Sequence, residues 1–217
     1  MSKKTADDMF FGITCNEGQE QLRQAIMDDN NQVIMVNAVA GSGKTLISVA
    51  CARLLCAYHG YDGAVYIFPT VEEGSLGYRP GSTAEKESDY LEPLYDAIIK
   101  LNENPRQAIS SDISKKNGTD WITARSCTFM RGINLENKVV ILDECQNLSV
   151  PLIKRIISRC HDNCKVLILG CTAQMDIPVE RSGFEQLIDH LKKYDKVVEC
   201  KLPISYRGWL AEAIDKL

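Results

Sequence analysis

The chain has 217 residues, of which 45% are hydrophobic and 25% charged, and this composition suits one compact domain or at most two small ones and excludes a disordered or fibrous chain. Its 25 basic and 29 acidic side chains give a net charge of −4, so any polyanion must be bound by a local basic surface. The nine cysteines lack the regular spacing of a secreted disulfide scaffold, which indicates reduced thiols and a cytoplasmic protein. No segment reaches the roughly 18 apolar residues that span a bilayer, and we expect no membrane association.

Short runs of β-branched residues alternate with segments of helical periodicity, and this pattern predicts an α/β fold with a mostly parallel sheet flanked by helices. The predicted strands are residues 33–36, 64–68, 121–124, 139–142, 166–169 and 197–198. The predicted helices lie around residues 22–26, 44–58, 91–98, 151–160, 184–191 and 210–217. Residues 102–120 are polar and include Pro105, so we expect a surface insertion or mobile loop there. No repeat or linker interrupts the chain, and residues 1–217 are predicted to form one domain.

The first predicted strand runs into a glycine-rich segment that opens a helix, which is the context of a phosphate-binding loop. Glycines allow successive backbone N–H groups to point at phosphate oxygens, and the helix N-terminus adds its positive end. Lys44 is expected to reach the β- and γ-phosphates, and the Thr45 hydroxyl to bind Mg²⁺. The alternative is a glycine-rich turn with an unrelated lysine, although here strand, loop and helix fall in register. The predicted phosphate-binding residues are Ala40, Gly41, Ser42, Gly43, Lys44 and Thr45.

A second strand, residues 139–142, ends in two carboxylates, Asp143 and Glu144, in the manner of a Walker B motif. Parallel sheets place their ligands at this carboxyl edge. Asp143 is predicted to hold Mg²⁺, and Glu144 to act as the general base that orients the attacking water. The alternative is a pair of solvated acids at a strand end.

Two glutamines are further candidates for nucleotide contacts. Gln174 follows the strand 166–169, which we expect between the phosphate-loop strand and the acidic strand, and would sense the γ-phosphate; otherwise it belongs to an ordinary turn. Gln19, near the start of the first helix, has an amide that can pair with an adenine edge, and the alternative is an exposed polar residue.

With these motifs the chain resembles the PhoH-like ATPases, P-loop proteins related to the first domain of superfamily 1 helicases. The resemblance implies ATP and Mg²⁺ binding and ATP hydrolysis on a single RecA-like domain, with a link to single-stranded RNA or DNA. The chain departs from the family at Cys171, where an Asp is usual, at Phe68, where an Arg is usual, and mildly at Ala38, where a Gly is usual. Besides Gln19 and the phosphate loop, the resemblance rests on Pro69, Val71, Glu72, Gly74, Leu76, Gly77, Pro80, Gly81, Pro93, Leu94, Tyr95, Asp96, Met130, Arg131, Gly132, Ile141, Leu142, Asp143, Glu144, Gln146, Asn147, Gly170, Gln174, Asp176, Arg181, Ser182, Gly183 and Arg207.

A helicase uses a second RecA-like domain to complete its site, and we find none in this sequence. We therefore expect a homo-oligomer, with a hexameric ring as one form, in which Arg181 or Arg207 reaches the ATP held by a neighbouring subunit.

Two other functions stay open at this point. Asp143, Glu144 and Gln146 also resemble a motif of type II thymidine kinases, but Cys160 and Cys164 do not complete the four-cysteine zinc site of that class. The substitution at Cys171 suggests instead an ATP-operated switch with little hydrolysis. Basic residues that could contact nucleic acid, or simply be solvated, are Lys115, Lys116, Lys154, Arg155 and Arg159.

Overall fold

The computed structural model describes residue 5, residues 9–69 and residues 83–208, with the backbone alone for 83–89. Its six strands form one parallel sheet in the order β3-β2-β4-β5-β1-β6. The strands are β1 Val33–Ala38, β2 Ala64–Phe68, β3 Ile122–Ser126, β4 Val139–Leu142, β5 Lys165–Gly170 and β6 Val197–Leu202. The helices are α1 Glu17–Met27, α2 Lys44–Tyr58, α3 Thr83–Lys100, α4 Pro105–Ala108, α5 Asp112–Asn117, α6 Val150–Ile157 and α7 Phe184–Leu191.

The strand order brings three predicted motifs to neighbouring positions. Strand β5 lies between β1 and β4, as expected, with Val36 paired to Leu169 and Leu142 to Ile168. Because all strands are parallel, the segments that follow β1, β4 and β5 leave the sheet at the same edge. The fold thus gathers the phosphate loop, the acidic pair and the Gln174 segment.

Helices cover both faces of the sheet, which explains the almost continuous apolar runs in its strands. One core contains Leu22, Leu55 and Ile98 from α1, α2 and α3. The opposite core contains Ile153 and Phe184 from α6 and α7. Within the described parts of the chain, no helix combines the length and apolar composition required to cross a bilayer.

The helices α2 and α7 and the strands β2 and β4 have their predicted bounds. Strand β6 extends well beyond the two residues expected. The prediction was too short because the second half of the strand alternates exposed and buried positions, as an edge strand does, and so lacks a continuous apolar run. The predicted helix at 210–217 and the motif residues 71–81 lie outside the described residues.

Residues 102–120 contain two short helices, α4 and α5, where the sequence suggested an irregular loop. The polar residues that suggested a loop act as helix caps: the Asn104 side chain accepts a hydrogen bond from the Arg106 N–H, and Ser111 forms a capping box with the buried Ser114. Gly118 ends α5 in the left-handed conformation.

Candidate nucleotide site

The phosphate loop leaves β1 and enters α2 through two glycines with positive φ, +70° at Gly41 and +85° at Gly43. A Cβ on Gly41 would lie 2.5 Å from Cγ of Arg207, and one on Gly43 would lie 2.7 Å from Nε2 of Gln19. Both positions therefore require glycine for conformation and for space. The first N–H groups of α2 have no partner within the helix, and the buried Ser42 hydroxyl has none among the described residues. These unpaired donors suit an anion.

The Thr45 hydroxyl and the Asp143 carboxylate meet at the head of α2. Thr45 Oγ1 donates to Asp143 Oδ2 at 2.8 Å, and the buried Tyr66 hydroxyl donates to the same oxygen, also at 2.8 Å. The other carboxylate oxygen, Oδ1, accepts the N–H of Glu144 at 2.9 Å. These contacts fix the orientation of the Asp143 carboxylate.

The electrostatics around Asp143 favour a cation. Burial raises the pKa of Asp143 above its ordinary 3.8 and Glu144 raises it further, while Lys44 and the two hydroxyl donors offset this only in part. Oxygen ligands of this kind are those that Mg²⁺ prefers, so Thr45 and Asp143 fit the expected metal site. No group of three or more His, Cys, Asp or Glu able to hold a metal occurs in the described part of the chain.

Lys44 and Glu144 form an ion pair across the site, with Nζ 3.4 Å from Oε1. Burial acts to lower the pKa of Lys44, but the carboxylates of Glu144 and Asp143 outweigh it and the pKa is raised. Lys44 therefore keeps its charge. Glu144 has a φ of +49°, a strained conformation for a residue with a side chain and one that often marks functional sites.

Gln146 links the acidic strand end to the segment after β5. Its Nε2 donates to Glu144 Oε2 at 2.6 Å and to the Gln174 carbonyl at 2.9 Å, and its Oε1 accepts the N–H of Cys171 at 3.0 Å. Gln146 is not among the site residues predicted from the sequence, where it appears only as part of the family motif and of the motif shared with thymidine kinases.

A second pair, Asn147 with Asp176, joins the same two segments. Asn147 Nδ2 donates to Asp176 Oδ2 at 2.6 Å and its Oδ1 accepts the Asp176 N–H at 2.8 Å. The predicted γ-phosphate sensor, Gln174, is thus carried on a segment that is hydrogen-bonded directly to the Walker B motif. The thiol of Cys171 is buried there without the carboxylate that the family usually places at this point.

Gln19 is held against the phosphate loop. It forms a capping box with Asn16 at the start of α1, and its Nε2 donates to the Ser42 carbonyl at 2.8 Å. The alternative of an exposed polar residue is wrong, since Gln19 is 7% exposed. An adenine contact by Gln19 stays a prediction.

The segment that follows β6 crosses the phosphate loop of its own chain. The N–H of Tyr206 donates to the Gly41 carbonyl at 3.0 Å, and the Tyr206 hydroxyl accepts Asn16 Nδ2 at 2.7 Å. The stem of Arg207 lies over Gly41. Because the chain turns back over the glycines after β6, Arg207 lies at its own phosphate loop, and its contact with the ATP of a neighbouring subunit stays an untested prediction.

The other predicted arginine, Arg181, is exposed in the short 3₁₀ helix Val179–Arg181. Within the described residues, no hydrogen bond or ion pair joins it to the phosphate loop.

Phe68, which stands where the family usually has an arginine, belongs to an aromatic stack. Its ring lies 6.1 Å from that of Tyr90 at 14° between planes, and 6.4 Å from that of Tyr66. A charged side chain here would replace buried aromatic packing between β2 and α3. All nine cysteines are free thiols.

Comparison with known proteins extends these observations. The family model described as PhoH-like protein matches residues 13–206. Protein PhoH of Escherichia coli K12 is 32% identical over 184 residues, covering 83% of this chain and 49% of that protein. A PhoH-like protein of Mycobacterium leprae is 31% identical over 176 residues, covering 80% of this chain and 49% of that protein. The chain thus spans about half the length of these curated relatives.

Among solved structures, the UvsW helicase from bacteriophage T4 aligns with a TM-score of 0.54 at 15% identity, covering 88% of this chain and 61% of that chain. At this identity the likeness concerns the fold alone, and it confirms the predicted RecA-like fold. With the phosphate loop, the acidic strand end and the intervening β5 in their expected places, and with a family match over residues 13–206, the chain belongs to the PhoH-like protein family.

Proposed function

We propose that this chain binds ATP with Mg²⁺ and hydrolyses it to ADP and phosphate. The observation that carries the proposal is the convergence of the Thr45–Asp143 contact at 2.8 Å and the Lys44–Glu144 ion pair at 3.4 Å at the head of α2. A cation site, a phosphate-binding lysine and a carboxylate base are the parts that phosphoryl transfer to water requires. Bound Mg²⁺ would neutralise charge on the β- and γ-phosphates.

Each residue has a distinct role in the proposed reaction. The loop N–H groups and Lys44 bind the phosphates, and Thr45 with Asp143 holds the cation. When Lys44 turns to the phosphates it releases Glu144, which then accepts a proton from the attacking water. Gln146 keeps that carboxylate in position, and Gln174 contacts the γ-phosphate. Gln19 is proposed to recognise adenine.

We further propose that hydrolysis is coupled to the binding of single-stranded RNA or DNA by a cytoplasmic homo-oligomer, with a hexameric ring as the form to test. The family membership and the helicase-type fold support this link. In such an oligomer the exposed Arg181 would stabilise charge at the ATP of a neighbour.

Steady-state phosphate release, with and without single-stranded RNA or DNA, tests the proposal. Turnover that nucleic acid stimulates, and that is lost in Lys44→Ala and Glu144→Gln, is the expected result. Slow turnover indifferent to nucleic acid would favour an ATP-operated switch, the alternative that the buried Cys171 supports. Restoring the carboxylate with Cys171→Asp would then accelerate turnover.

Mixing two inactive variants tests the role of Arg181 in trans. Arg181→Ala keeps an intact phosphate loop, and Lys44→Ala keeps an intact Arg181. If the arginine acts across a subunit interface, mixed oligomers regain activity that neither variant has alone. Absence of recovery in mixtures that demonstrably exchange subunits would exclude that role.

A further inference from the structure

An aromatic side chain is exposed at the carboxyl end of the edge strand β3. A 3₁₀ helix, Cys127–Phe129, follows β3 directly, and Phe129 within it is 61% exposed. Its neighbours Cys127 and Met130 are buried in the core. The Ser126 side chain caps the turn by accepting the Thr128 N–H at 3.3 Å. The turn is therefore anchored on both sides while the Phe129 ring remains in solvent.

Two arginines flank Phe129 in the sequence. Arg125 and Arg131 are both exposed, and neither forms an ion pair within the described part of the chain. The sequence from Arg125 to Leu135 contains no Asp or Glu. In a chain with a net charge of −4, this segment carries two positive charges and no negative charge, and it contains an exposed aromatic residue.

The other strongly exposed aromatic residues have different surroundings. Tyr194 is 55% exposed and also has lysines beside it, Lys192, Lys193 and Lys196, but its ring lies 6.0 Å from that of His190. It lies near the amino end of β6, at the opposite side of the sheet from β3. Tyr206 is 61% exposed, but its hydroxyl is engaged by Asn16 at the phosphate loop. Phe129 is thus distinguished by its position at the carboxyl edge of the sheet, without the ring contact of Tyr194 or the hydroxyl bond of Tyr206.

The position of this patch connects it to the nucleotide site. Arg125 of β3 pairs in register with Ile67 of β2, and the Ile67 carbonyl accepts the N–H of Asp143 at 2.9 Å. Strands β3 and β4 are two places apart in the sheet, which is roughly 10 Å at the usual spacing. The patch and the proposed cation site therefore share one edge of the sheet.

We propose that Phe129, Arg125 and Arg131 form a binding platform for single-stranded nucleic acid. Aromatic rings stack on bases without sequence preference, and guanidinium groups contact the backbone phosphates that follow the stacked base. The two positive charges beside the exposed Phe129 ring favour a nucleic acid over an apolar protein surface as the ligand. An apolar surface would bury the two guanidinium groups without partners. The inference rests on the proposed function in one respect, the coupling of nucleic-acid binding to ATP turnover.

Fluorescence anisotropy with labelled oligo(U) and oligo(dT) tests the platform without any nucleotide present. Phe129→Ala should weaken binding by about tenfold, within the range measured for the loss of one stacking ring. Phe129→Trp should restore it, since a ring is retained. The double variant Arg125→Ala/Arg131→Ala should reduce the slope of log affinity against log salt by about 1.4, the contribution of two single-strand phosphates. The two oligonucleotides separate RNA from DNA.

Tyr194→Ala is the matched control, because it removes a similarly exposed ring that also has basic residues beside it but lies far from the patch. Basal ATP turnover should be unchanged in all of these variants, whereas stimulation by nucleic acid should be lost with Phe129→Ala. Wild-type affinity in Phe129→Ala, or an equal loss in Tyr194→Ala, would overturn the inference. Failure of the unsubstituted protein to bind either oligonucleotide at low salt would also overturn the inference. That result would not affect the ATPase proposal, which the phosphate-release assay tests separately.

Discussion

Replacing Gln146 with alanine should slow ATP hydrolysis much more than it weakens nucleotide binding. The Gln146 amide makes all its contacts with Glu144 and with the segment after β5, and none of its hydrogen bonds reaches the phosphate loop. The variant loses the restraint on the proposed base while Lys44 and Thr45 remain in place. We therefore expect a fall in kcat with little change in KM.

The structure sets the scale of the expected losses in stability and in kcat. Without Gln146 Oε1 the buried N–H of Cys171 loses its acceptor, which costs about 1–3 kcal/mol in the free energy of unfolding. Glu144 loses a 2.6 Å hydrogen bond, and a displacement of about 1 Å at a catalytic group reduces kcat by about 10²-fold. Gln146→Glu is the informative companion, because it keeps an acceptor for Cys171 but places a second carboxylate beside Glu144.

Steady-state kinetics and urea denaturation of the same preparations distinguish a positioning role of Gln146 from a purely structural one. Gln146→Ala should lose both stability and kcat. Gln146→Glu should also lose both, because its buried carboxylate can accept the Cys171 N–H but has no hydrogen to donate to Glu144 or to the Gln174 carbonyl. If Gln146→Ala loses the expected stability but keeps kcat within twofold of the unsubstituted protein, the residue is purely structural and the positioning argument is refuted.

Three further predictions follow from the geometry of the site. Gly41→Ala should weaken ATP binding at least tenfold, because the added Cβ meets Arg207 Cγ at 2.5 Å. The control Gly118→Ala has a similar φ of +65° but open space around the added Cβ, and it should reduce stability alone. Equal ATP affinity in the two variants would contradict this prediction. The pKa of Asp143 in the folded state is raised above 3.8, so the native state binds a proton more readily than the unfolded state. The free energy of unfolding therefore falls as the pH rises from 3.8 through the raised pKa of the folded state. Asp143→Asn should therefore be more stable than the unsubstituted protein in urea denaturation at pH 7.5 without nucleotide, with a smaller difference near pH 4, and the opposite trend would refute the argument. Mixtures of Arg207→Ala with Lys44→Ala should regain no ATPase activity, since Arg207 lies on its own loop, and recovered activity would show that it acts in trans.

Much of the fold was predictable because its pattern is local. Helix α2 has its predicted bounds since a phosphate-loop glycine precedes it and a histidine and glycine follow its apolar residues. Strand β6 was shortened in the prediction because Glu199 and Lys201 interrupt its apolar run, as the exposed positions of an edge strand do. In residues 102–120, polar composition concealed two helices whose caps are made by those same polar side chains.

The site was predictable where one motif supplies one function, and much less so where contacts join distant segments. Tyr66 lies 77 residues from Asp143, and only a tyrosine in an otherwise apolar strand hinted at its hydrogen bond. The bonds from Gln146 to the segment after β5, and the return of Arg207 over Gly41, depend on tertiary structure that no local pattern encodes.

The most direct test of the proposed function is phosphate release from radiolabelled ATP in a single turnover. Glu144→Gln should bind ATP with Mg²⁺ as tightly as the unsubstituted protein but release phosphate about 10²- to 10⁴-fold more slowly, the contribution expected of a general base. Lys44→Ala should bind ATP poorly. Release by Glu144→Gln at the unsubstituted rate would contradict the assignment of Glu144 as the base and, with it, the proposed mechanism of hydrolysis.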